Sequence, residues 1–318
     1  MKNNPKVLTA WTMYDWSNSV HSLTITSAIF PIYYAANAVN KDGGEMLDFM
    51  GITIKNSVLY SYSVSFAFLL LVCIVPILSG VSDLLGKKKF FLKLFCYLGG
   101  LSCMALFFFN KGNFQVGVLF FILSIMGWGG SEVYYNSFLP DIATEDKFDN
   151  LSARGFTMGY IGSVILLLQN LSMLLKPEWY GGISEGQACR VAFLTVGIWW
   201  IGFAQIPFYF LPNIQSKKQK VDGWLSRGVQ ELKKTFAEIK QQATLKRFLT
   251  AFFFYNMGAQ TVIFMGAIFG KEVLQLSSSA LITTILLIQL VAIPGAYIFS
   301  NLAKPLGNIV SIMIILSI

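Results

Sequence analysis

Leu8-Thr9-Ala10-Trp11-Thr12-Met13-Tyr14-Asp15 opens a long apolar segment near the N-terminus, and a similar stretch recurs later in the chain. The second copy is Leu249-Thr250-Ala251-Phe252-Phe253-Phe254-Tyr255-Asn256, and it also opens an apolar segment. Each copy then reaches the tripeptide Ala-Ile-Phe, at residues 28–30 and 267–269. Repeats of about six membrane helices build the central site of many secondary transporters. The chain is therefore predicted to contain a half of six apolar segments, followed by an incomplete half of about three.

The composition indicates a membrane protein. Hydrophobic residues make up 55% of the chain and charged residues 13%, whereas a soluble domain carries roughly a quarter charged residues. The long apolar runs favour helices over barrel strands, so the expected class is an all-α polytopic membrane protein. The formal charge of +8 lies in loops, which argues against a nucleic-acid partner. The four cysteines lack the spacing of a metal site, and no cofactor is expected.

Hydropathy predicts nine spans, and the positions of the basic residues predict their orientation. With the N-terminus in the cytoplasm, 18 of the 24 Lys and Arg residues fall on the cytoplasmic side and six on the other. This excess follows the positive-inside rule. The predicted spans cover residues 11–37, 57–82, 90–110, 115–139, 155–175, 191–212, 248–270, 279–300 and 306–318.

Three regions follow from this pattern. Residues 1–212 form an N-terminal six-helix bundle, 213–247 a cytoplasmic linker, and 248–318 the start of a truncated C-terminal bundle. Apolar residues in the linker recur every three or four positions, which predicts an amphipathic helix lying on the inner leaflet. These apolar residues are Leu225, Val229, Leu232, Phe236 and Ile239.

The loop between the second and third spans reads Gly80-Val81-Ser82-Asp83-Leu84-Leu85-Gly86-Lys87-Lys88-Lys89. This pattern resembles the signature loop of the major facilitator superfamily. The resemblance implies the major facilitator fold and a conformational latch between the halves. The latch residues would be Gly80, Asp83, Gly86, Lys87 and Lys88. Aligning Gly307 with Gly86 places a degenerate second copy of the loop at residues 301–307.

The first span indicates which branch of the superfamily the chain resembles. Tyr14-Asp15-Trp16-Ser17-Asn18-Ser19, followed by Ile29-Phe30-Pro31-Ile32-Tyr33-Tyr34, is similar to the opening of the vacuole-effluxer-like branch of that superfamily. This branch contains the autophagy-related permeases and a bacterial group of unknown substrates. Residues 135–143 and 152–162 agree with it as well. The resemblance implies a permease that exports small solutes, with amino acids as the first class to consider.

Polar residues on the first helix predict a pathway through the membrane. Tyr14, Asp15, Asn18 and His21 fall on one side of the helix. Because polar groups facing lipid are costly, that side should face protein or water. Asp15 and His21 could relay a proton or meet a substrate ammonium group, or they could only hydrogen-bond neighbouring helices. The sequence leaves both interpretations open.

Other spans contribute further candidates. Glu132 is a carboxylate within the fourth span, where it could be a coupling site, a substrate contact or a structural partner. Asn136 lies one turn further along the same span. In the second half, Asn256 matches Asp15 in the repeat and Gln260 lies one turn later, with Gln289 on the eighth span. The pathway set is therefore Tyr14, Asp15, Asn18, His21, Glu132, Asn136, Asn256, Gln260 and Gln289.

These observations favour a secondary transporter that moves a small solute by alternating access, with a proton as a candidate coupling ion and the lipid bilayer as its environment. The alternative is a non-transporting membrane scaffold or receptor, suggested by the short second half. No nucleophile or catalytic set indicates an enzyme. The expected location is a bacterial inner membrane with the N-terminus in the cytoplasm, and a vacuolar membrane is the alternative.

Overall fold

The computed structural model describes residues 2–213 and 224–317, and helices predominate in both ranges. Short 3₁₀ turns at Leu106–Phe108, Glu145–Lys147 and Pro177–Tyr180 connect some of the helices. The α-helices are α1 Pro5–Val20, α2 Ile29–Asn37, α3 Asn56–Leu85, α4 Lys88–Ala105, α5 Phe114–Ser137, α6 Leu139–Ile142, α7 Phe148–Leu175, α8 Glu185–Phe210, α9 Trp224–Gln241, α10 Ala243–Glu272, α11 Ser278–Leu306 and α12 Asn308–Ser317.

The first predicted span is helical throughout but not uniformly α-helical. A π-helical segment, His21–Ala28, joins α1 directly to α2. Within it the Ser27 hydroxyl donates to the Ser22 carbonyl, five residues back, at 2.9 Å. Pro31 lacks an N–H and its ring crowds the carbonyl four residues earlier, at Ser27. Proline therefore gives a local reason for the irregular turn just before α2.

A β-hairpin follows α2. Strands β1 Met46–Phe49 and β2 Ile52–Lys55 pair antiparallel, with Met46 opposite Lys55. Met50 and Gly51 form the turn with φ of 54° and 81°, which is the geometry of a type I′ turn. The all-α expectation is therefore wrong in this detail, because hydropathy windows as long as a membrane span average out two four-residue strands.

Within the described ranges, seven helices are long and apolar enough to cross a membrane. These are α3, α4, α5, α7, α8, α10 and α11. The first helical segment, which is interrupted and carries many polar side chains, and the ten-residue α12 are the two predicted spans outside this group. The protein is a mostly helical polytopic membrane protein, and the division into six plus three spans stays a prediction.

Close helix crossings organise the first bundle. α4 and α5 cross at Gly99 and Gly127, where a Cβ on Gly127 would collide with the backbone of Gly99. α1 lies between α7 and α8, and small residues of α7 allow its close approach. α10 packs against α2 and the π segment, and α11 packs against α7.

Region boundaries stay predictions, but the structure places helices within them. The described part of the linker contains α9, which packs against α3, and α10 begins at Ala243 rather than at residue 248. Linker residues 214–223 lie outside the described residues, as do the side chains of Leu225, Val229 and Leu232.

The bundle has two ends, which we name by their landmarks. The hairpin end carries β1 and β2, the turn between α4 and α5, and the end of α10. The amino-terminal end carries the start of α1, where the Asn3 backbone N–H donates to the Ile142 carbonyl at 2.7 Å. Which end faces the cytoplasm stays a prediction.

Candidate functional site

A buried carboxylate links α1 to α5. The Tyr135 hydroxyl donates to Asp15 Oδ2 at 2.6 Å, and Asp15 is only 5% exposed. The Trp11 indole N–H donates to the Tyr135 carbonyl at 3.1 Å, and the two rings stack 4.3 Å apart. Gly155 on α7 packs against the other side of the Asp15 carboxylate. A Cβ atom added to Gly155 would collide with that carboxylate. Asp15 is thus enclosed by three helices.

The second contact lies one turn along α1. The Asn18 side-chain amide donates to Glu132 Oε1, and that of Asn136 donates to Glu132 Oε2 at 3.4 Å. Asn18 is buried, whereas Glu132 is half-buried and Asn136 is exposed. The Glu132 carboxylate therefore joins a buried amide on α1 to an exposed amide on its own helix.

The third contact encloses the single histidine. His21 Nε2 lies 3.1 Å from the Ser124 hydroxyl, which itself donates to the Phe121 carbonyl at 2.8 Å. Because the serine hydrogen is engaged there, we assign the imidazole proton to Nε2, which leaves Nδ1 as an acceptor. Nδ1 is buried without a partner. The ring packs on Trp128 and Trp200, with centroids 5.9 and 5.7 Å away.

We call these three contacts, Asp15–Tyr135, Asn18–Glu132 and His21–Ser124, the α1–α5 ladder. Their order reverses along α5, as expected for antiparallel helices. Asp15 and His21 each have their own partner on α5 and share no hydrogen bond among the described residues. The geometry thus matches the interpretation in which they bond neighbouring helices. Of the six ladder residues only Glu132 is partly exposed, and the other five are buried.

Tyr14 and the candidates from the second half lie outside the ladder. Tyr14 is fully buried, with its ring 5.1 Å from Tyr135, and its hydroxyl forms no hydrogen bond of good geometry with any described residue. Asn256, Gln260 and Gln289 are half-buried. No described hydrogen bond joins those three to the ladder, and the side-chain Oε1 of Gln260 is buried without a partner among the described residues. The structure therefore brings together Asp15, Asn18, His21, Glu132 and Asn136 but not the remaining four.

The comparisons with known proteins agree with this architecture. The family model described as "Vacuole effluxer Atg22 like" matches residues 3–318. The chain belongs to this family. It is 30% identical over 306 residues to the protein named "Uncharacterized MFS-type transporter YxiO" of Bacillus subtilis, covering 96% of this chain and 69% of that one.

Fungal relatives are more distant. Autophagy-related protein 22 of Eremothecium gossypii is 25% identical over 332 residues, covering 92% of this chain and 64% of its own length. The Saccharomyces cerevisiae protein of the same name is 27% identical over 282 residues, which cover 75% of this chain and 52% of its own. The chain thus spans less than two thirds of these fungal relatives. Its relatives are named as transporters and effluxers, not as enzymes.

In this Atg22-like chain, the latch residues mark the turn from α3 to α4. Gly80 lies in α3, and Gly86 ends that helix in the left-handed region, with φ of 64°. Gly307 ends α11 with φ of 78° and ψ of 157°, a backbone conformation different from that of Gly86, whose ψ is 32°, so the second copy of the loop stays a prediction. The Lys87 N–H donates to the Ser82 carbonyl at 3.0 Å. The side chain of Asp83 lies outside the described residues.

The lysines after this turn bind within the first bundle. Lys88 Nζ lies 2.9 Å from Asp141 Oδ2, and Lys89 Nζ donates to the Leu211 carbonyl at 2.8 Å. These contacts hold the turn against the ends of α6 and α8. A latch between the two halves stays a prediction.

Sequence reasoning missed one link, between the first bundle and α10. Lys55 Nζ lies 3.2 Å from Glu272 Oε2 and 3.3 Å from Glu45 Oε2. The hydrogen bonds that Lys55 donates to Glu272 and Glu45 raise its pKa above the usual value for lysine. No sequence signal marked this triad, because Glu45 and Lys55 flank a hairpin of very short strands and Glu272 lies 217 residues beyond Lys55 in the chain.

The Asp15–Tyr135 contact makes a direct prediction. Tyr135→Phe keeps the stacking on Trp11 but removes the donor to a buried carboxylate, which should destabilise the protein by about 1–3 kcal/mol. Thermal unfolding of the detergent-solubilised protein measures the effect. Tyr209→Phe is the matched control, since Tyr209 is 81% exposed. Equal unfolding temperatures for the two variants would contradict the assigned hydrogen bond.

Proposed function

We propose that this protein is a secondary transporter that moves a small solute across a membrane by alternating access. Its multi-pass helical fold and its membership of the Atg22-like effluxer family support the proposal. The whole protein's substrate is part of the proposal, and amino acids are the first class to test. The partly exposed Glu132 carboxylate, which lies within a membrane helix, makes proton coupling a second element of it.

The observation that carries the proposal is the one-sided packing of α10. At the hairpin end, Phe264 packs edge-to-face on Phe68 at 5.3 Å, and the Ser61 hydroxyl lies 3.5 Å from Met265 Sδ. Lys55 and Glu272 extend these contacts outward. Toward the amino-terminal end, the side chains of α10 between Phe248 and Tyr255 are exposed. An arrangement closed at one end and open at the other is expected of one state of a rocking transporter.

We place the protein in a bacterial plasma membrane with its N-terminus in the cytoplasm, on the strength of the basic-residue count and the Bacillus relative. The hairpin end then faces outward, so that the described state is closed to the outside. The pathway residues stay candidates for lining the route, with Glu132 of the ladder and its neighbour Asn136 the most accessible of those on α1 and α5.

Flux through proteoliposomes tests the proposal. Vesicles containing the full-length protein and loaded with a labelled amino-acid mixture should release label faster than protein-free vesicles. An imposed proton gradient should change that rate if Glu132 couples the two. Correctly inserted protein that gives no flux of amino acids, sugars or organic acids would favour a non-transporting scaffold instead.

A further inference from the structure

Two lysines of α4 lie at the amino-terminal end of the bundle, and both contact uncharged groups of α8. Lys89 Nζ donates to the carbonyl of Leu211, the residue after α8, at 2.8 Å. Lys93 Nζ lies 5.4 Å from the centre of the Phe208 ring. Among the described residues, neither lysine forms a salt bridge with a carboxylate. Two positive charges are therefore left without a counter-charge where α4 meets α8.

The spacing of these lysines favours an anion between them. Lys89 and Lys93 are four residues apart in one helix, so their side chains leave the same face on successive turns. Like charges in this arrangement destabilise a helix. Each ammonium group has three hydrogens, and the contact of Lys89 with the Leu211 carbonyl uses one of them. An anion that accepts from the remaining hydrogens would remove the repulsion.

The surface that continues inward from the lysines is exposed on both helices. On α4, Leu94, Tyr97 and Leu101 are exposed and recur at spacings of three and four, so they form one stripe. On α8, Ile198 and Gln205 are exposed and lie about two turns apart. The Tyr97 hydroxyl donates to Gln205 Oε1 at 3.3 Å and joins the two stripes. We call the combined surface the α4–α8 seam, and its residues are Lys89, Lys93, Tyr97, Leu101, Ile198 and Gln205.

The chemistry of the seam changes with depth in the order found in a phospholipid. The lysines lie at the end of the bundle, the contact of Tyr97 with Gln205 follows, and Leu101 and Ile198 lie deeper. At 1.5 Å per residue, Leu101 is about 12 Å further into the bundle than Lys93. Cationic, polar and apolar side chains thus match a phosphate, the glycerol esters and the acyl chains in turn.

Gln205 adds a donor at the level of the esters. Its side-chain amide donates one hydrogen to a backbone carbonyl of α8 at 2.6 Å. An amide has two such hydrogens, so the second is left for an ester carbonyl of a lipid. The polar level of the seam can therefore bind a lipid as well as join the two helices.

We propose that the α4–α8 seam is a binding site for one anionic phospholipid. The phosphate lies between Lys89 and Lys93, where its hydrogen bonds are charge-assisted. An ester carbonyl accepts from Gln205, and an acyl chain lies along Leu101 and Ile198. A headgroup without a cation is preferred, because the lysines repel a second positive charge.

The orientation proposed above places the seam in the cytoplasmic leaflet, where anionic lipids attract basic residues. The site belongs to the first bundle alone. It therefore does not rest on the proposed transport, and a non-transporting protein would bind the same lipid.

Native mass spectrometry of lipid binding tests the site. The full-length protein, delipidated in detergent, is titrated with phosphatidylglycerol, phosphatidylcholine or inorganic phosphate, and the Kd of the first bound molecule is measured. Phosphatidylglycerol should bind most tightly, and Lys89→Gln and Lys93→Gln should each weaken its binding about fivefold. Lys6→Gln and Lys147→Gln remove exposed charges at the same end but outside the seam, so they should leave the Kd unchanged.

Three results would overturn the site: equal affinity for the two lipids, an equal loss in the seam and control variants, or phosphate binding that depends on the lysines without a preference for the charged lipid. The last of these would identify a soluble anion as the ligand. Lys89→Arg combined with Lys93→Arg keeps both charges and should bind phosphatidylglycerol as the unmodified protein does. Loss of binding in this folded variant would also contradict the proposal.

Fluorescence quenching locates the acyl chain without changing the lysines. Leu101→Trp places an indole on the seam, and Val72→Trp places one on α3, equally far in residues from the end of its helix and exposed. Phosphatidylcholine vesicles contain the same small fraction of brominated phosphatidylglycerol or brominated phosphatidylcholine, and the signal of the unmodified protein is subtracted. At position 101 the charged lipid should quench about twice as strongly as the neutral one, and at position 72 equally. Equal quenching by the two lipids at position 101 would reject a lipid bound at the seam.

Discussion

Gly127→Val is expected to prevent formation of the native bundle. At this position α4 and α5 approach so closely that a Cβ would meet the backbone of Gly99, which cannot rotate away as a side chain could. Trp200 covers Gly99 from α8, so that α4 has no free space to retreat into. Overpacking of this kind costs about 3 kcal/mol when the neighbours cannot yield. The yield of monodisperse protein on size-exclusion chromatography should fall sharply.

Gly202→Val is the matched control for this change. Gly202 also lies inside a membrane-spanning helix, α8, but nothing stands within 4 Å of a Cβ built there. The intrinsic effect of exchanging glycine for valine in a helix is therefore common to both variants. Comparable yields and unfolding temperatures for the two proteins would show that the α4–α5 crossing is looser than described.

Glu132→Ala is expected to reduce solute flux at least about tenfold, which corresponds to some 1.4 kcal/mol in the transport barrier. The change removes the acceptor for the buried Asn18 amide and with it a link between α1 and α5. It also removes the one ladder carboxylate that reaches solvent. Ionisable groups within membrane helices are costly and commonly serve function. Flux in proteoliposomes, normalised to inserted protein, measures the loss.

Glu132→Gln separates the two roles of this side chain, since it keeps an acceptor for Asn18 but cannot carry charge. We expect it to retain stability and to lose the dependence of flux on a proton gradient. Glu178→Ala, in an exposed turn at the hairpin end, should behave as the unmodified protein does. Proton-driven flux that survives in Glu132→Gln would remove Glu132 from coupling.

The polar face of the first helix could be predicted, but its partners could not. Helical periodicity places Asp15, Asn18 and His21 together, and the cost of exposing them to lipid predicts that they face inward. Which residues meet them depends on how α5 crosses α1. One turn of displacement along α5 would replace Tyr135 or Ser124 with another side chain. The enclosure of His21 by Trp128 and Trp200 has the same origin.

The irregular parts of the fold were less predictable. The π segment changes the backbone hydrogen bonding without changing the hydropathy, so the average hydropathy of this stretch is that of an ordinary span. The hairpin rests on four-residue strands, below the length at which apolar patterns are informative. Lys55 accordingly looked like an ordinary loop lysine, although it links the hairpin to the end of α10.

The sequence by itself determined the membrane class, the approximate positions of the helices and the family. These depend on local composition and periodicity, which act on each segment independently. Only the tertiary structure decided which polar groups are satisfied, where α10 meets the first bundle, and which charges meet at Lys55. Such features depend on helix crossings set by side-chain packing between segments far apart in the chain.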